Sequence, residues 1–150
     1  MNIQRVKQGA KITFYTGIYM IILGVFFIFF INLNMKSLFN STTRLWGFFL
    51  MYSWDISYLF YLFNILIGLL LISNGITIAY LSDFIIKRKE KITWVILFIT
   101  GIISWAGLLT ISILFQSIVL IVLSFIGWLI FIIGMLLPIS YYLEKPYKEY

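Results

Sequence analysis

The sequence predicts an all-α integral membrane protein, a four-helix bundle with a short interfacial or re-entrant helix between spans one and two. Three observations lead there. Of 150 residues, 63% are hydrophobic and only 11% charged, with a mean hydropathy of +1.06, whereas an average soluble domain is about half apolar and a quarter charged. A chain this small keeps too large a surface to hide that much apolar side chain in one water-soluble core. The charges, moreover, sit in short connections between four long apolar runs.

Residues 1–11 are polar and carry Arg5, Lys7 and Lys11. Ile12 to Ile31 then runs without a charge, about twenty residues, enough to cross a hydrocarbon core of roughly 30 Å as a helix. The run is longer than a signal-peptide core, and Asn32-Leu33-Asn34-Met35-Lys36 is not a small-residue cleavage site, so it reads as a retained first span. Leu38 to Trp54 is too short to span. Asn40-Ser41-Thr42-Thr43 makes a helix-start cluster, and the aromatic stretch after Arg44 suits a helix in the interface, with the guanidinium reaching headgroups. A re-entrant segment packed on the bundle is the competing reading.

The second span covers about 56–82, longer than the bilayer is thick, which predicts tilt. Asp83 to Lys91 (DFIIKRKEK) forms a short basic turn. The third span covers about 92–114. Gln116-Ser117 makes a tight connection to the fourth, about 118–141, in which Pro138 predicts a mild kink. Residues 1–150 therefore form a single transmembrane domain.

Charge asymmetry sets the orientation. Arg5, Lys7, Lys11, Lys87, Arg88, Lys89, Lys91, Lys145 and Lys148 share one side, and only Lys36 and Arg44 take the other. The positive-inside rule then predicts both termini in the cytoplasm. The Ile/Phe/Lys/Asn-rich style looks bacterial, which makes the expected location the cell (inner) membrane. Trp94, Tyr80, Tyr141 and Tyr142 mark the inner interface; Trp46, Tyr52 and Trp54 mark the outer one.

Helices in lipid associate through small residues, and each span offers a stripe of them. Gly17 and Gly24 lie in span one, Gly68 and Gly75 beside Asn64 in span two. Thr100, Gly101, Ser104 and Gly107 lie in span three, Ser117, Ser124, Gly127 and Gly134 in span four. The pairs 17/24, 68/75 and 127/134 repeat at seven residues, which keeps one face turned to a neighbour in a left-handed bundle.

The chain has no Cys and no His. Thiolate chemistry, zinc and iron–sulfur sites built from this chain alone are therefore excluded, and no metal or cofactor is expected. No basic face tracks a phosphate backbone, so nucleic acid is not an expected partner; the lipid bilayer is. A second membrane protein or a further copy of the chain is the other candidate partner.

A few polar and aromatic residues stand out. Asp83 lies at membrane depth and is a candidate proton or cation carrier, although Lys87 stands four residues on, placed for a helical ion pair. Asp55 is placed as the N-cap of span two and as a partner for Arg44 across the outer loop. Asn64 and Asn74 are the most polar groups deep in the membrane and about 80° apart round the helix. Asn64 follows the glycine stripe toward the bundle; Asn74, with Thr77, points to another helix or a second protein. Trp105 and Trp128 lie well inside spans three and four, where an indole N–H needs a partner, with Ser104, Ser124 or a carbonyl as candidates; the other reading is a hydrophobic-ligand wall.

The usual catalytic constellations are absent, so the chain is not expected to be an enzyme. Size and layout are similar to those of the small multidrug-resistance exporters. Those carry an essential acid in the first span, and Ile12 to Ile31 holds none. The reading that remains is a small non-catalytic membrane protein with an accessory or assembly, protective or hydrophobic-ligand-binding role. A small transporter or channel using Asp83 is the alternative.

Overall fold

The computed structural model describes residues 2–33, 36, 46–114 and 116–144. Six helices follow in order among them: α1 (Asn2–Phe29), α2 (Trp46–Tyr52), α3 (Trp54–Arg88), α4 (Lys91–Leu114), α5 (Ile118–Leu136) and α6 (Ile139–Glu144). The four longest, α1, α3, α4 and α5, are each long and apolar enough to cross a membrane. α1 packs on α3 and α5, and α4 packs on the same two helices. The result is a ring of antiparallel neighbours, α1–α3–α4–α5, with α2 lying against α3 and α6 touching α1.

Glycine decides the closest approach. A Cβ at Gly17 would stand 2.8 Å from the Gly75 carbonyl oxygen, and one at Gly75 would stand 2.7 Å from the Gly17 oxygen. Gly24 and Gly68 repeat the arrangement, at 2.6 and 2.8 Å. The seven-residue spacing on both helices thus brings backbone against backbone twice, two turns apart. Between α1 and α5, Gly9 does the same: a Cβ there would lie 2.5 Å from the Gly134 carbonyl and 2.8 Å from Cδ of Pro138.

The α4–α5 contact works differently. Gly101 leaves the space that the Phe131 ring fills, and Gly127 leaves the space that the Trp105 indole fills. Each helix contributes one aromatic knob and one glycine socket. Packing of this kind replaces the hydrophobic effect, which gives no preference for another helix over lipid tails.

Most buried hydroxyls are bonded within their own helix. Thr13 donates to the Gly9 carbonyl (2.7 Å), Thr16 to Thr13 (2.7 Å), Ser57 to Ser53 (3.2 Å), Ser82 to Ile78 (2.7 Å) and Ser112 to Leu108 (2.7 Å). A hydroxyl bonded this way adds little polarity to the interior.

The element boundaries differ from the sequence reading in three places. α1 begins at Asn2 and α3 runs on to Arg88, because a helix does not end where hydrocarbon ends. The C-terminus of α3 closes on Lys89 in the left-handed region (φ 53°), whose N–H bonds the Ile85 carbonyl at 2.9 Å, the place a glycine usually fills. Pro138 produces a break rather than a mild kink. α5 stops at Leu136, and the Pro138 carbonyl starts α6 by accepting from Tyr141 (3.1 Å) and Tyr142 (3.3 Å). Of the predicted segment 38–54, the described part holds the short helix α2, with Phe48 and Tyr52 ring to ring at 4.6 Å.

Candidate functional site

Asp83 is an ion-paired surface residue. Its carboxylate accepts from Lys87 Nζ at 2.6 Å, one turn on, and the two side chains are 45% and 70% exposed. Such a pair is worth about 0.3–0.5 kcal/mol and keeps the Asp83 carboxylate out of the bundle interior. Arg88 turns elsewhere, to Glu90 at 3.9 Å and over the Phe84 ring at 4.9 Å.

Asp55 is not the N-cap. α3 starts at Trp54 with Ser53 in the cap position, so Asp55 falls in the first turn, exposed, where its charge suits the positive end of the helix dipole. Its proposed partner Arg44 lies outside the described residues.

Asn64 is 1% exposed and its Nδ2 donates to the Phe27 carbonyl oxygen at 2.6 Å. That carbonyl belongs to the last turn of α1, where oxygens lack helical partners, so Asn64 closes one helix end from another helix. Tyr61, a turn earlier, donates to Asn32 Oδ1 at 2.7 Å just beyond the same end. Asn64 Oδ1 is buried without a partner. Asn64→Leu is expected to cost about 1 kcal/mol, because orphaning the Phe27 carbonyl is partly offset by removing that bare oxygen. Denaturant titration of the detergent-solubilised chain measures it, and a stabilised variant would contradict the capping role.

Trp105 is fully buried and stacks on Tyr19 across the bundle, with ring centroids 5.8 Å apart and planes at 15°. Its Nε1 finds no partner, against the sequence expectation. Ser124 is bonded to Ser112 at 3.0 Å, and the nearby hydroxyl of Tyr19 donates to the Leu123 carbonyl at 3.2 Å. Shape therefore sets this indole's position, since Gly127 receives it. Trp128 is half-buried and stacks on Phe125 at 6.1 Å, a packing residue toward the outside of α5.

At the end where α1 begins and α3 finishes, Trp94 stacks on Tyr142 at 5.2 Å. Trp94 Nε1 and the Tyr142 hydroxyl are both buried without partners. Burial, with Tyr141 beside it, pushes the Tyr142 hydroxyl above its ordinary pKa. Neither this pair nor the Tyr19–Trp105 stack was singled out from sequence, although a tyrosine midway along an apolar span was a readable signal for the latter.

Asn74 is the exception among these residues. It is exposed, one residue from Gly75, about midway along α3, and meets no hydrogen-bond partner among the described residues. Ser73 and Thr77 are exposed beside it, the Thr77 hydroxyl turned back to the Ser73 carbonyl at 3.0 Å. Of the two expected neighbours for Asn74 and Thr77, another helix or a second protein, no helix of the bundle covers either residue among the described ones.

The structure thus does not gather Asp83, Asp55, Asn64, Asn74, Trp105 and Trp128 into one site. Among the described residues no three Asp or Glu side chains cluster as metal ligands would. Beside the unpartnered polar atoms buried in the bundle, the Asn74 amide on the outside of α3 is the exposed one at mid-helix. Comparison of the chain with protein-family models, with curated proteins and with solved structures returns no match.

Proposed function

We propose that the chain is a non-catalytic, multi-pass protein of the cell (inner) membrane that works by lateral association, as an accessory or assembly subunit. The observation that carries this reading is the contrast between the two sides of α3. Its inner side is closed against α1 by glycine-to-carbonyl contacts. Its outer side exposes the Asn74 amide at mid-helix. An amide facing hydrocarbon is unfavourable alone and is stabilised by a hydrogen-bonding neighbour.

The interior supports the same reading. Hydroxyls returned to their own backbone and aromatic knobs seated in glycine sockets line no polar path, which disfavours the transporter alternative. Asp83, the acid on which that alternative rests, is spent on Lys87.

The proposed topology has both termini and the Lys89 turn in the cytoplasm, in line with the basic residues grouped there. Reporter fusions at either terminus and at Lys89 are expected to read cytoplasmic, and one near Ser41 external. An external signal at Lys89 rejects the topology. For the function, crosslinking in native membranes followed by mild extraction and mass spectrometry is expected to recover the chain in a fixed ratio with itself or another membrane protein. Recovery as a lone monomer rejects lateral association, and recovery with itself alone keeps lateral association but counts against the accessory role.

A further inference from the structure

We propose that the partner at the Asn74 face is a second copy of this chain, related by a two-fold axis along the membrane normal, with the two Asn74 amides hydrogen-bonded to each other. The proposal rests on the lateral-association reading above and names its occupant. Three points carry it.

The first is depth. Asn74 lies roughly 21 Å along α3 from Arg88, at 1.5 Å per residue, well inside a hydrocarbon core of about 30 Å. Water does not reach that depth to satisfy an amide. The second is chemistry. An asparagine side chain carries both a carbonyl acceptor and N–H donors, so it is complementary to itself. Two chains inserted in the same orientation and related by an axis along the normal bring each residue to its own counterpart at equal depth, as any isologous interface does. An amide on that axis meets an amide. Partners bearing only apolar or only accepting groups at this depth leave part of Asn74 unpaired.

The third is room. On α4 the side of Gly101 is filled by Phe131, and Gly107 lies about 120° away round the helix. It is exposed, and a Cβ there would meet nothing within 4 Å. It stands roughly 24 Å from the start of α4, close to the level of Asn74. Both residues are exposed at a similar depth on neighbouring helices. A small residue at that position lets a neighbouring helix approach closely.

The absence of cysteine makes a clean test available. Leu70→Cys and Thr77→Cys each place a single thiol one turn from Asn74 on the exposed face of α3. Tyr15→Cys places one on the exposed side of α1 as a control. The full-length variants are reconstituted in liposomes and oxidised, and a second set is oxidised in native membranes. Disulfide-linked dimers are expected from Leu70→Cys and Thr77→Cys and not from Tyr15→Cys. Adding Asn74→Leu is expected to weaken dimerisation about five- to thirty-fold, while Asn74→Gln, which keeps donor and acceptor, retains it.

Equal crosslinking from Tyr15→Cys signals random collision and overturns the proposal, as does dimerisation indifferent to Asn74→Leu. Adducts of a different mass in native membranes, with no dimer in liposomes, overturn the second copy as partner while leaving the accessory reading standing. A monomer in both settings overturns the two together.

Discussion

Gly75→Val is expected to push α1 and α3 apart and to cost about 3 kcal/mol. The magnitude is that of overpacking a close contact that cannot yield. The new Cβ would stand 2.7 Å from the Gly17 carbonyl oxygen and 2.9 Å from the Ile21 amide nitrogen. Both are backbone atoms, so relief comes only from moving a helix. Gly24, whose Cβ would meet the Gly68 carbonyl at 2.6 Å, is expected to behave alike. Gly107→Val on α4 is the matched control. It meets open space, and the better helix propensity of the replacement leaves monomer stability unchanged or slightly raised. Thermal and denaturant unfolding of the purified variants in one detergent compares them. Equal costs at 75 and 107 would mean that the effect is intrinsic to glycine in a helix rather than to the α1–α3 contact.

Trp105→Ala is the second large expected effect, about 3–5 kcal/mol. The fully buried indole fills the socket at Gly127 and stacks on Tyr19, so truncation opens a cavity between three helices. Trp105→Phe separates shape from polarity. The indole N–H has no partner, so no hydrogen bond is lost and the cost is confined to the smaller ring. Phe is therefore expected to recover more than half of the Ala deficit. A Phe variant as unstable as Ala would show that the N–H finds an acceptor, such as a buried water. Gly127→Leu, which competes with the indole for one space, is expected to rival Trp105→Ala, and the double variant to cost less than the two added together.

The four long helices were legible because membrane spans announce themselves by length and by the absence of charge. The glycine pairs 17/24 and 68/75 were legible as packing faces for the same reason: small residues two turns apart have few other uses in lipid. Which face meets which was not legible. Nothing local to Gly127 says that it receives Trp105, nor to Gly101 that it receives Phe131, since those pairings arise only once α4 and α5 lie side by side. Span three shows the limit clearly. Thr100, Gly101, Ser104 and Gly107 read as one packing stripe, yet they spread over about 120° of the helix. The bundle uses the Gly101 edge and leaves Gly107 outside. The cap on α3 shifted for a similar reason: Asp55 looks like a helix cap, but the cap lies two residues sooner, at Ser53, and the helix begins at Trp54. For the candidate site, residue type alone marked Asn64 and Asn74 equally. Their opposite fates, one closing α1 and one facing outward, follow from about 80° of helical rotation against a neighbour whose position the sequence does not state.

The described side-chain hydrogen bonds between the long helices are unevenly placed along the bundle axis. Asn64 to the Phe27 carbonyl, Tyr19 to the Leu123 carbonyl and Ser112 to Ser124 all lie toward the end where α1 finishes and α3 begins. Toward the basic end the helices meet through glycines and a long Thr13 hydroxyl contact with the Met135 sulfur at 3.9 Å. Directional bonds fix the rotation of a helix about its own axis, which contacts of shape alone fix less tightly. Among the described residues the directional bonds between long helices thus gather at one end, and close-packed shape holds the other. Thermal fluctuations would open the bundle from the basic end first, giving amides there the faster hydrogen exchange.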